Sequence, residues 1–121
     1  MTVYDTTHEL ARQLKNSREY IEYKEVKDIV YADPDLKKKV EDFDKLRYEV
    51  QMLTLQGEKQ DEEKMAKLQE LYTILLQNKD VKKFFDTQVR FNVMLADVNK
   101  IIGEAVKDVL QEQYIFYLRF R

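Results

Sequence analysis

Residues 81–109 read VKKFFDTQVRFNVMLADVNKIIGEAVKDV. Positions 81, 84, 88, 91, 95, 98, 102, 105 and 109 are Val, Phe, Gln, Phe, Leu, Val, Ile, Ala and Val, a 3-4 alternation over four heptads with one polar member. That spacing predicts one long helix with an apolar seam. At about 1.5 Å per residue it would run roughly 43 Å, longer than a compact domain of this size needs, so part of the stripe should overhang and require a partner. Phe85, Val89, Met94 and Ile101 widen the apolar arc, which suits a helix packed on two sides. Gly103, which costs about 1 kcal/mol relative to Ala inside a helix, reads as a close helix crossing rather than an early end.

Upstream, Asp61-Glu62-Glu63 places acids at a helix start, and Met65, Leu68, Leu71, Tyr72, Leu75 and Leu76 give that helix an apolar face. Asn78, tolerant of the left-handed conformation, is the expected end. Asp33-Pro34-Asp35 is the clearest start signal: Asp33 caps, Pro34 takes the first helical position, and Asp35 suits the positive end of the dipole. Leu36, Val40, Phe43, Leu46, Val50 and Leu53 then form one stripe, and Gly57 is the natural stop. Residues 46–76 therefore read as a helical hairpin turned around Gly57. Nearer the front, the broad apolar arc from Tyr20 to Tyr31 suits a helix packed on more than one neighbour, with Asn16 and Ser17 as its cap. Thr6-Thr7-His8-Glu9 has capping-box spacing and predicts a short opening helix carrying Leu10 and Leu14.

The chain has 121 residues, about the length of one domain, with only two Gly and one Pro to punctuate it. Charged residues make up 36% and apolar ones 44%, both signs are interspersed, and the net charge is -2. Phosphate binding wants a clustered basic face, so direct nucleic-acid binding is disfavoured. The one basic run, Lys37-Lys38-Lys39, is flanked by Asp33, Asp35, Glu41 and Asp42 and reads as a solvated helix face. The absence of Cys removes disulfides and thiolate metal sites. The polar start MTVYDTTHELARQL has no apolar run, so a cytoplasmic protein without a membrane segment is expected.

Catalytic patterns are scarce. His8 is the single imidazole and sits near the N-terminus, so neither a His-based metal site nor a triad can be assembled. Glu62, Glu63 and Glu70 lack the spacing of a calcium loop or a Glu-x-x-His pair, and two glycines cannot build a phosphate loop. Asp44 and Glu41 lie beside Lys45 as surface charge pairs. No enzyme, cofactor or metal is expected. The aromatics Phe84, Phe85 and Phe91 divide between core and homodimer interface. The tail QEQYIFYLRFR departs from the pattern. It reads as a docked or swapped segment, a strand-like interaction peptide, a stretch foreign to the fold, or a disordered end.

The capped N-terminal helix, Ser17-Arg-Glu-Tyr20, Ala32-Asp33-Pro34-Asp35-Leu36, the hairpin through Gly57, and Leu75-Leu-Gln-Asn78-Lys-Asp-Val81 before Asp97-Val-Asn-Lys-Ile-Ile102 together resemble the YlbF/YmcA family of small helical proteins from Gram-positive bacteria. The resemblance spans about residues 4 to 110 and is carried by helix boundaries and apolar positions. It implies a regulator without a catalytic site, linked to competence, sporulation and biofilm formation, with some members modulating RNase Y and messenger RNA turnover. The iron–sulfur ligation known in one such complex needs Cys ligands that this chain lacks. It looks more similar to the YheA-like branch, and no family functional residue carries over.

The expected architecture is all-α: a helical bundle built from a helical hairpin and long amphipathic helices, oligomerising through helix packing, with a single domain over 1–110 and an aromatic-rich tail over 111–121. The expected protein-interaction residues are Val81, Phe84, Phe91, Leu95, Val98 and Ile102, presented to a second copy of the chain in a homodimer or higher oligomer. A protein partner in RNA-turnover regulation is the further expectation. The alternative is an RNA-associated factor using Lys37 to Lys39 and Arg47 on a basic face formed only in the oligomer.

Overall fold

A computed structural model describes residues 1–59 and 61–110, and the tail readings for 111–121 lie outside these residues. Five helices and no strand occur among the described residues: α1 Val3–Lys15, α2 Arg18–Tyr31, α3 Pro34–Leu55, α4 Glu62–Leu75 and α5 Lys79–Val106. The all-α expectation stands.

Each boundary has a local cause. Thr2 caps α1: its hydroxyl accepts from the Asp5 amide at 3.2 Å, and the Asp5 carboxylate accepts from the Thr2 amide at 3.1 Å. This reciprocal box corrects the expected start at Thr6, which lies inside the helix with its hydroxyl bonded to the Thr2 carbonyl. Asp does here the work usually given to Glu at that position, so the box starts four residues earlier than the Thr-x-x-Glu spacing suggests. Ser17 accepts from the Tyr20 amide at 3.2 Å and so opens α2. Asp33 accepts from the amides of Asp35 and Leu36, with Pro34 at the first helical position of α3.

Gly57 ends α3 in the left-handed region at φ 72°. Its amide bonds the Thr54 carbonyl and the Glu58 amide bonds Leu53, the paired arrangement that satisfies the last carbonyls of a helix. Asp61 then caps α4 through the amides of Glu63 and Lys64. α3 and α4 pack as the expected hairpin, with Lys64 reaching Glu49 across it at 3.6 Å. Asn78 is a correction. α4 stops at Leu75, and Asn78 instead begins α5, accepting from the amides of Asp80 and Val81 at 2.9 and 3.1 Å. An Asn side chain two residues before free amides satisfies them better than its backbone would serve a left-handed stop. At its far end α5 closes at Val106 rather than Val109, where a tighter turn bonds the Val109 amide to the Val106 carbonyl.

The chain divides into two compact units, Lys24–Phe85 and Met1–Tyr23 with Asp86–Arg121. In the first, Val26, Val30, Val40, Phe43, Leu75, Val81, Phe84 and Phe85 are all buried. Five rings, Tyr31, Phe43, Tyr72, Phe84 and Phe85, form a chain of contacts with centroids 5.3 to 6.0 Å apart, spacings at which tilted aromatic pairs attract beyond their burial. In the second unit Phe91 packs on Tyr20 and Tyr23 at 5.8 and 5.6 Å.

Candidate interaction surface

The chemistry-bearing groups are dispersed. Among the described residues no three His, Cys, Asp or Glu side chains are grouped to hold a metal ion, and no helix is long and apolar enough to cross a membrane. His8 is exposed on α1. The basic run on α3 is largely neutralised by its own helix: Lys39 lies 3.0 Å from Asp35, Lys37 lies 3.9 Å from Glu41, and Arg47 lies 3.1 Å from Asp44. Exposed pairs of this kind add little stability, but they cancel the field that a phosphate backbone would need. Glu9 and Arg18 are also held in their charged forms by pairing. Arg12 lowers the Glu9 pKa chiefly through a hydrogen bond, and Glu22 raises the Arg18 pKa the same way.

Exposed apolar side chains occur along the chain, and α5 carries a row of them: Val89, Val93, Ile101, Ile102 and Val106. Val81 and Phe84 are 0% and 1% exposed, so the structure makes them core of the Lys24–Phe85 unit and removes them from the accessible surface. Phe91, Leu95 and Val98 are half-buried. Phe91 is covered on one side by the tyrosines of α2. Ile102 is 44% exposed and lines an open groove with Met1, Val3, Thr6 and Leu10 of the α1 region. Gln88, the polar member of the seam, donates from its side-chain amide to the Tyr23 hydroxyl at 3.3 Å, so the row of positions 84, 88 and 91 turns toward its own chain.

The exposed stripe is the neighbouring flank of the same helix. Val89, Val93 and Ile101 are 61%, 54% and 70% exposed, and Val89, Val93 and Met94 line a shallow depression with Glu19, Arg90 and Asp97. Of the residues expected to widen the arc for a second packing side, Phe85 is buried in the Lys24–Phe85 unit and Met94 is half-buried, while Val89 and Ile101 are uncovered among the described residues. Gly103 has no atom of another element within 4 Å of the position a Cβ would occupy, so the expected close crossing is absent among the described residues.

The described residues thus form a small all-helical protein with exposed apolar side chains along one flank of α5. The chain belongs to the YlbF/YmcA family: residues 3–107 match the family described as "Control of competence regulator ComK, YlbF/YmcA". Its relatives include UPF0342 proteins of Caldicellulosiruptor saccharolyticus (37% identical over 112 residues, 93% of this chain and 92% of the relative) and Symbiobacterium thermophilum (36% over 104 residues, 86% and 93%). A third, from Clostridium tetani, is 38% identical over 106 residues, covering 88% and 91%. Among solved structures, a protein of unknown function (DUF964) from Bacillus stearothermophilus superposes with a TM-score of 0.72 at 11% identity, covering 88% of this chain and 94% of that one. That likeness is one of fold.

Proposed function

We propose that this chain is a non-enzymatic cytoplasmic regulatory adaptor that self-associates and acts through helix-mediated protein contacts, in competence, sporulation, biofilm formation or RNase Y-dependent RNA turnover. The observation that carries the reading is the open apolar flank of α5, with Val89, Val93 and Ile101 each more than half exposed. Exposed apolar side chains recurring along one helix flank and interleaved with charges give a surface suited to a helix contact. The family's description as a competence regulator supports the regulatory half of the reading.

Sedimentation velocity at micromolar concentration tests self-association; the expected result is a dimer or larger species, and a compact monomer overturns it. The regulatory role is tested by gene replacement. Deletion should alter competence or message half-lives, and a Val89→Asp/Val93→Asp chain that stays folded should reproduce the deletion. Full complementation by that variant would sink the adaptor reading.

A further inference from the structure

The outer face of α5 carries a charge order that is complementary to itself only when reversed. Asp86, Arg90, Asp97, Lys100 and Glu104 lie on the same flank as Val93 and Ile101, since each recurs at three- or four-residue steps. Arg90 and Asp97 are two turns apart, roughly 10.5 Å along the axis, too far to pair with each other on one helix. When two such helices run antiparallel with their midpoint between Val93 and Met94, residues whose numbers sum to 187 oppose one another. Arg90 then meets the partner's Asp97, and Asp97 meets the partner's Arg90. Val93 meets the partner's Met94, and Lys100 comes within one residue of the position opposite the partner's Asp86.

Neighbouring registers fail on charge. Sliding one turn one way sets Arg90 against Lys100 and Asp86 against Glu104. Sliding one turn the other way sets Asp86 against Asp97. Parallel pairing places every charge against its own copy. Like charges held opposite each other oppose association, so the pattern selects one orientation and one register. The apolar surface at the centre is the uncovered Val89, Val93 and half-buried Met94.

From this we infer that a second copy of the chain packs antiparallel on the outer face of α5, about a twofold axis at Val93 and Met94, locked by two reciprocal Arg90–Asp97 pairs. The inference rests on the self-association proposed above and specifies its geometry. Arg90 lies 3.5 Å from Glu22, a long exposed contact, and Glu22 keeps Arg18 at 2.7 Å when Arg90 turns to the partner.

The test uses charge reversal in the full chain, read by sedimentation velocity with circular dichroism as the fold control. Arg90→Asp alone and Asp97→Arg alone should each weaken the dimer by about tenfold or more, since each opposes like charges twice across the axis. An equimolar mixture of the two variants should regain association, because the two acids of the first chain then face the two bases of the second. For variants that fold poorly, cross-linking decides. The chain has no native Cys, so a short bis-maleimide should join an Asp86→Cys chain to an Ile101→Cys chain in mixture, and join neither to itself. A dimeric wild-type chain whose variants show no recovery on mixing, or whose cysteines link in another pattern, overturns this geometry and leaves self-association standing. A monomeric wild-type chain overturns both.

Discussion

Phe84 is 1% exposed, and its ring lies 5.8 Å from Phe85 and 6.0 Å from Tyr31. Removing it takes contacts from two neighbours at once, so Phe84→Ala should cost about 3–5 kcal/mol, read as a lower urea midpoint with an unchanged slope. A cost under about 1 kcal/mol would mean that Phe84 is not core. Asp44 raises a question of sign. Burial pushes its carboxyl pKa up, against the opposing pull of Arg47 and Lys27. The folded state therefore holds this proton more tightly than the unfolded chain does. Its favourable contribution is complete below the ordinary carboxylate pKa of about 3.9 and is lost as pH rises through the folded value, leaving an unfavourable charge at neutral pH. Asp44→Asn should be the more stable protein at neutral pH, with the difference shrinking as the medium is acidified. Thermal melts across that range check it, and a variant less stable at neutral pH would show the Arg47 pair to be the stronger influence. Some of this scale is written in plain sequence, as with Asp33 and Asp61 before their acidic first turns. Asn78 is not, because the same residue type serves a helix stop and a helix start, and only the amides of Asp80 and Val81 decide between them.

The two glycines separate what a helix and a turn each ask of the backbone. Gly57 sits at φ 72°, where a Cβ meets no atom of the described residues within 4 Å but the backbone conformation itself is unfavourable for most other L-residues. Gly57→Ala should destabilise the α3–α4 hairpin by about 1–2 kcal/mol. Gly103 is a buried position inside α5 with no atom among the described residues within 4 Å of its Cβ position, so Gly103→Ala should stabilise by about 0.8–1 kcal/mol through helix propensity. Chemical denaturation of the pair checks both, and a destabilising Gly103→Ala would point to a neighbour that only assembly brings close. At Asp33-Pro34 the cap and the period agreed and the boundary was legible, and Leu36, Val40, Phe43, Leu46, Val50 and Leu53 all turn inward as their spacing requires. At Thr6 the same agreement misplaced the start, because Thr2 caps α1 instead. The partition of α5 was not legible. Its 3-4 seam and its flank are both apolar, and period alone cannot tell which one the chain covers. The Gln88 bond to Tyr23 settles that, and it depends on a residue 65 positions away.

At the scale of the molecule, the eight apolar side chains buried among the described residues all belong to the Lys24–Phe85 unit, while the described part of the unit containing α1 buries none of its Val, Leu, Ile or aromatic side chains fully. A stretch of helix with so little covered surface opens at low free energy when isolated, because opening it exposes little that was hidden. Association changes that by mass action, since the partner binds the ordered helix and not the opened one. For a dimer, each tenfold rise in protein concentration adds about 1.4 kcal/mol to the assembled state. Amide hydrogen exchange resolves this residue by residue. Amides of α5 from Val89 to Glu104 should become more protected as the protein is concentrated. Those around Val40, Phe43 and Leu75, already inside a packed unit, should change far less. If protection along Val89 to Glu104 is instead high and independent of concentration, the single chain shelters that helix unaided and no second copy is needed to hold it.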